Sequence, residues 1–467
     1  MEANQEKKIS FYGKDSKNRV KIKHHNLIRF LGKSGFAKTQ TSRGNFLWLK
    51  IQNNSVSEVF EEDLSTFIKH HLVRQGEYEV LETFVQHNAS YINTKKLNFL
   101  PDANLVDDMD SKDSSNFYFK DKIVKVSENG LETIAYEDFH AAIWENRIID
   151  RNINLNLAAE DSDFYTFCFR ICGEDAKKLE RLKSILGYLL HRYKDPALNK
   201  AIILYDKNMN VSSQAEGGTG KSLMWNAIGQ MREVVDYNGK ESKKNNWFKN
   251  QLISLTTDLV VYDDVGKDFD FNDLFAILTG SIEVERKREH AFKIPYSRSP
   301  KILITANHYV KGSGGSSDRR RRCEFELENV YTDKSTPLME FGKRFFDEWN
   351  ADGWSRFDLF MMECVQTFLK EGLIDGDLEF EKGRRLDNLT SPYFVEAIET
   401  LVKIGEWVNQ REFMEILQSD IPHLTPHTFT KWLKIYCDEN DLVQDKKSTG
   451  SDYFFTILKR EGDGKVQ

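Results

Sequence analysis

The chain has 467 residues, enough for two to four domains and at least one full core, and a formal net charge of −7. That balance excludes a global basic field, so any DNA contact has to come from a local patch. Residues 1–8 are polar and no apolar run approaches the length of a bilayer, which argues against a signal core or a membrane span.

A soluble, cytoplasmic protein is therefore expected. Of five cysteines, Cys168 and Cys172 stand four apart in a helix-period stretch, and Cys323, Cys364 and Cys437 are scattered. No Cys or His partner follows at ligand spacing, so buried thiols are expected rather than a metal pair, and an odd count suits a reducing compartment.

Residues 1–156 read as a mixed α+β region. The apolar runs 27–31 and 46–51 read as strands, and 64–73 and 78–87 as helices. The stretch 102–115 carries Asp107, Asp108 and Asp110 and few apolar residues, and reads as a solvated acidic loop. Runs 117–119 and 123–126 then form a small β unit with a turn at 128–130.

Residues 157–199 read as a helical, collar-like segment. Phe164, Phe167 and Ile171 share one helical face, and Leu179, Leu182, Ile185, Leu186, Leu189 and Leu190 another. Gly173 marks the break between the two helices and Pro196 the stop. Residues 200–330 form the core. Its runs 201–205, 259–262 and 302–305 are short, continuous and rich in β-branched residues, as expected of strands buried on both faces of a parallel sheet. A helical extension and a charged connector follow over 331–385. Residues 386–460 read as a winged helix, with helices over 393–404, 410–417 and 426–439 and a two-stranded wing after them. Thr425 is the expected cap of the third helix and Pro426 its first-turn residue.

The chemistry concentrates in the core. Glu216, Gly217, Gly218, Thr219, Gly220, Lys221 and Ser222 read as a phosphate-binding loop. Small residues let backbone N–H groups crowd around phosphate oxygens; Lys221 adds charge at the β- and γ-phosphates, and the Ser222 hydroxyl can hold Mg²⁺. Two departures from the usual pattern stand out: Ala215 replaces its first glycine, and a polar stretch, 206–214, separates strand from loop. Asp263 and Asp264 close the second core strand, placed to hold a metal and to polarise water. Asn307, at the tip of the third, is a neutral donor toward a γ-phosphate.

Arg320 or Arg321, in the run 318–322, is the candidate to stabilise phosphoryl charge across a subunit boundary. Residues 283–294 read as a hairpin whose tip carries Arg286, Lys287 and Arg288, suited to a nucleic-acid backbone. Interleaved glutamates make a merely solvated hairpin the competing reading. In the winged helix, His427, Thr430, Lys431 and Lys434 are expected to face a DNA groove, and Lys446 and Lys447 to meet phosphates. A protein-binding winged helix competes there.

The loop, the paired acids, the basic hairpin and the strand tip Ile304-Thr305-Ala306-Asn307 fall within about ninety residues. That compact order resembles superfamily 3 helicases, particularly the poxvirus-type primase–helicase branch of phages, plasmids and other mobile elements. The resemblance covers about 164–346 and includes the segment Leu186-Gly187-Tyr188-Leu189-Leu190 ahead of the core. It implies an α/β P-loop ATPase core with an AAA+-like parallel sheet, binding ATP and Mg²⁺. It further implies a homo-hexameric ring that moves on single-stranded or forked DNA during replication. By that resemblance Lys221 and Ser222 contact phosphate and magnesium, Asp263 and Asp264 serve metal and water, Asn307 is the sensor and Lys287 the channel lysine. Relatives often carry a primase ahead of the motor; no carboxylate constellation of that kind stands in the first segment, so a separate primase is a possible partner. The alternatives are a ring ATPase that remodels protein, and a DNA-binding origin or regulatory ATPase that assembles on DNA without processive unwinding.

Overall fold

The computed structural model describes residues 10–42, 45–103, 108–207, 220–240, 250–285, 291–312, 315–332, 334–376, 378–450 and 452–460. At its centre lie β1 (Ala201–Asp206), β2 (Val234–Asn238), β3 (Leu259–Asp263), β4 (Lys301–Ala306) and β5 (Arg322–Leu327). They pair in the order β2-β3-β4-β1-β5, every pair parallel. All six residues of β1 and of β4 are buried. Alternation sends Ile202, Leu204, Val261 and Leu303 to one face and Ala201, Ile203, Tyr205, Val260, Ile302 and Ile304 to the other, each inside its own apolar cluster. Both faces are thus covered, as the uninterrupted apolar runs require.

The first face packs against α1 (Asp163–Ile171), α2 (Ala176–Leu190) and α4 (Ala351–Glu371), and against Phe117, Phe119, Val124 and Val126 of the small sheet. Gly173 takes φ +72° between α1 and α2. Where α2 crosses α4, Gly187 leaves no room for a side chain: a Cβ there would stand 2.0 Å from the Cys364 carbonyl oxygen. Gly187→Ala should therefore force the helices apart and lower stability by about 2–3 kcal/mol, read as a drop in melting temperature. An unchanged melt would contradict the packing.

Three readings are corrected. Residues 27–31 belong to a helix, His24–Lys33, not a strand; Leu27 and Leu31, four apart, are both buried, and a five-residue stretch of four apolar residues around Arg29 does not distinguish the two periods. The charged connector contains a helix, Leu378–Leu389. The acidic stretch is not a solvated loop: Asp108 and Asp110 are buried, whereas Asp107 lies outside the described residues. Arg192, just past α2, donates to Asp110 from Nη2 at 2.7 Å and Nε at 3.1 Å, and to Asp108 Oδ2 at 3.1 Å. Arg232, just past the core helix Lys221–Gly229, donates at 2.8 Å to Ser115, whose hydroxyl donates to Asp110. Burial alone would raise the Asp110 pKa, but Arg192 and Arg232 outweigh it and hold the carboxyl well below its usual range. At Asp108 burial wins over Arg192 and the pKa rises.

All five cysteines are free and buried. Among the described residues no helix is long and apolar enough to cross a membrane. At the C-terminal end, helices Pro392–Leu401, Gln410–Leu417 and Pro426–Glu439 pack on an antiparallel sheet of Val408–Asn409, Asp452–Lys459 and Leu442–Thr449. Thr425 caps the third helix, accepting from the Thr428 N–H at 3.2 Å.

Candidate functional site

Parallel strands finish at one edge of their sheet, and a site forms where the loops leave that edge. Here β1 ends in Asp206, β3 in Asp263, and Asn307 follows β4. The helix α3 (Lys221–Gly229) starts against the same edge with Gly220 as its N-cap. Gly220 takes φ +100°, and a Cβ there would stand 2.5 Å from the Phe167 ring, so only glycine fits. The Lys221 ammonium donates to Asp206 Oδ2 and Asn307 Oδ1, and to the Ala306 carbonyl at 3.4 Å.

The two acids after β3 face different partners. Asp264 takes φ +51°, a conformation a short polar side chain tolerates. Its Oδ1 accepts from Asn307 Nδ2 at 3.0 Å, and Lys240 pairs with its Oδ2. Asp263 Oδ1 accepts from the Thr305 hydroxyl at 2.6 Å, and that same hydroxyl accepts the Asp264 N–H at 2.7 Å. One continuous chain of polar contacts thus runs Asp206–Lys221–Asn307–Asp264–Lys240, with Asp263 fixed beside it through buried Thr305.

Gly220, Lys221, Ser222, Asp263, Asp264 and Asn307 therefore share one edge, with Ser222 exposed at the helix start. Glu216, Gly217, Gly218 and Thr219 lie outside the described residues, as do Arg286, Lys287 and Arg288. The stem of the basic hairpin is formed by Ile282–Val284 and Phe292–Ile294, paired antiparallel. The arginine run divides. Arg322 is buried on Asp318 at 2.9 Å and Glu324 at 3.3 Å, and Arg319 reaches Glu439 at 3.6 Å. Arg321 donates to the Ser317 carbonyl at 2.8 Å and stands 4.7 Å from the Phe275 ring centre; Arg320 is exposed. His427, Lys431 and Lys434 are exposed along one side of their helix, and Lys446 and Lys447 are exposed on the hairpin, with the Lys447 ammonium 4.0 Å from the Trp407 ring centre.

Sequence reasoning missed Asp206, Thr305 and Lys240. Asp206 had a signal: it is an acid closing a fully apolar strand just before the loop. Thr305 had a weaker one, a hydroxyl one residue from the strand tip. Lys240 had none, because its partner Asp264 is reached only through the fold.

Fold and site together define a mixed α/β protein whose candidate site lies at the carboxyl edge of a parallel sheet, around a helix N-terminus. A family of unknown function, DUF5906, matches residues 214–322, a stretch that runs from the loop through the arginines. No curated protein matches. Among solved structures, the apo A form of the NrS-1 C-terminal region is similar at a TM-score of 0.45 and 12% identity, over 92% of this chain and 98% of that one. A JCV helicase bound to a thiazolopyridine acetamide is similar at a TM-score of 0.26 and 12% identity, over 61% of this chain and 67% of that one. These likenesses are too distant to transfer a residue role or an activity.

Proposed function

We propose that this chain is an ATP-hydrolysing replicative DNA helicase of a phage or mobile element, working as a ring of copies on single-stranded or forked DNA. The observation that carries this reading is the setting of Lys221: a cation at a helix N-terminus, held by Asp206 and Asn307 beside two further carboxylates. A triphosphate at that N-terminus meets backbone N–H groups and the positive end of the helix dipole. Lys221 then exchanges its protein partners for phosphate oxygens.

The donor set fits magnesium. Ser222 and Asp263 offer hard oxygen ligands, and among the described residues no cluster of three His, Cys, Asp or Glu would hold a metal alone. Magnesium is commonly held by one or two protein ligands with substrate phosphates and water completing its shell. When bound there it would neutralise charge on the phosphates. Asp264, oriented by Asn307, is the group to accept a proton from water, and Asn307 couples that acid to Lys221. Arg320, exposed, is the arginine free to reach a neighbouring copy. The basic hairpin tip and the C-terminal lysines are the DNA contacts in this reading, with the C-terminal domain acting as a winged helix.

Strand displacement on a forked duplex, with ATP and Mg²⁺, tests the proposal. Unwinding together with turnover stimulated by single-stranded DNA is the expected result. Turnover indifferent to DNA and without unwinding would point to a remodelling ATPase instead.

A further inference from the structure

We infer that the hairpin Tyr12–Lys14 with Val20–Ile22 and the helix His24–Lys33 form a further nucleic-acid contact, which grips the phosphodiester backbone without reading bases. That the polyanion is nucleic acid rests on the helicase reading. Residues 10–38 carry eight Lys or Arg and one acid, Asp15, within a chain whose net charge is −7. A polyanion meets there the local basic patch that the bulk charge denies to the molecule as a whole.

The fold holds these charges in one compact unit. The two strands pair antiparallel, Tyr12 with Ile22 and Lys14 with Val20. The Lys23 N–H donates to the Phe11 carbonyl at 2.8 Å and seats the helix directly on the hairpin. Asp15 is spent inside the turn, where it accepts the Lys17 N–H at 2.8 Å, the Arg19 N–H at 3.0 Å and Arg19 Nε at 3.0 Å. Lys17, Lys21, Lys23 and Arg29 are exposed. Along the helix, His25, Arg29 and Lys33 stand four residues apart and exposed, one row with steps of about 6 Å. Partial burial and the Lys96 ammonium lower the His24 pKa, which sets Lys96 beside the start of that helix.

The same unit turns its apolar side inward: Phe11, Ile22, Leu27 and Leu31 lie in one buried cluster. The outer face thus offers charge and nothing to insert, which suits phosphates and not a bilayer. Lysine and arginine on an open surface neutralise phosphates whatever the sequence between them. Glu79 bounds the face, pairing with Lys14 at 3.2 Å.

Fluorescence anisotropy on the full chain without nucleotide, using a single-stranded oligonucleotide and its duplex, reads affinity against salt. In a variant combining Lys17→Gln, Lys21→Gln, Lys23→Gln and Arg29→Gln, the slope of log K on log salt should flatten by about 3, and affinity near about 0.1 M salt should fall about a hundredfold. A control removes four exposed cations elsewhere, Lys112→Gln, Lys120→Gln, Lys177→Gln and Lys370→Gln, and should keep the parental slope. ATP turnover without DNA should match the parent in both variants. A patch variant with the parental slope on both DNAs would overturn the inference, and so would an equal flattening in the control. A parent that binds anionic vesicles and neither DNA would overturn it as well. If the parent unwinds a fork, either of the first two results strikes this surface and spares the helicase reading. A parent that neither binds DNA nor unwinds strikes both.

Discussion

Lys221→Ala should reduce ATP turnover by at least about a hundredfold, the loss expected when a preorganised charge is removed from developing phosphoryl charge. Phosphate release under saturating ATP and Mg²⁺ measures it, and retained turnover would sink the site. The geometry adds a second expectation. Lys221 and Asp206 are each only 12% exposed at the side chain, so the alanine variant removes a close cation from a carboxylate that is largely shielded from water. That should cost about 1–3 kcal/mol of stability. Adding Asp206→Asn should return most of the stability and none of the turnover, which separates the chemical role of the lysine from its structural one.

Asp110→Ala should be the most damaging change among the acids of the N-terminal region, at about 3–5 kcal/mol, because it strips buried Arg192 of its main partner. Asp102→Ala is the control from the same acidic stretch. Its carboxylate is 79% exposed and meets Lys38 at 3.5 Å, so its loss should cost under about 0.5 kcal/mol. Denaturant melts of the two variants would contradict the assignment if they coincided. The pH dependence has a definite sign. The Asp110 carboxyl is held below its unfolded value of about 3.9, so its contribution is full above that pH. The contribution drains away as pH falls toward the folded value.

Asp108 and Asp110 also mark where the sequence was and was not legible. The central strands could be read because β1, β3 and β4 are buried on both faces and carry unbroken apolar runs. β2 escaped because it is a half-exposed edge, and β5 because buried Arg322 and Glu324 interrupt its apolar pattern while neutralising each other across 3.3 Å. The same blind spot hid the acidic stretch. Composition reports that Asp108 and Asp110 are charged, but Arg192 and Arg232 come from far along the chain and meet them only after folding. At the candidate site, the residues with motif spacing were visible, and their geometry was not. That Asn307 touches both Lys221 and Asp264 follows from neighbouring strand ends lying side by side.

The apolar cluster on the first face of the sheet begins at Phe117, passes through α1, α2, β1, β3 and β4, and closes at Val365 in α4. The small sheet, α1, α2, α4 and the central sheet share it without a seam. Opening any one of these segments would expose the hydrophobic surface of the others, so they are expected to unfold together. A ligand bound at the strand edge would therefore stabilise this block as well as the loops that touch it.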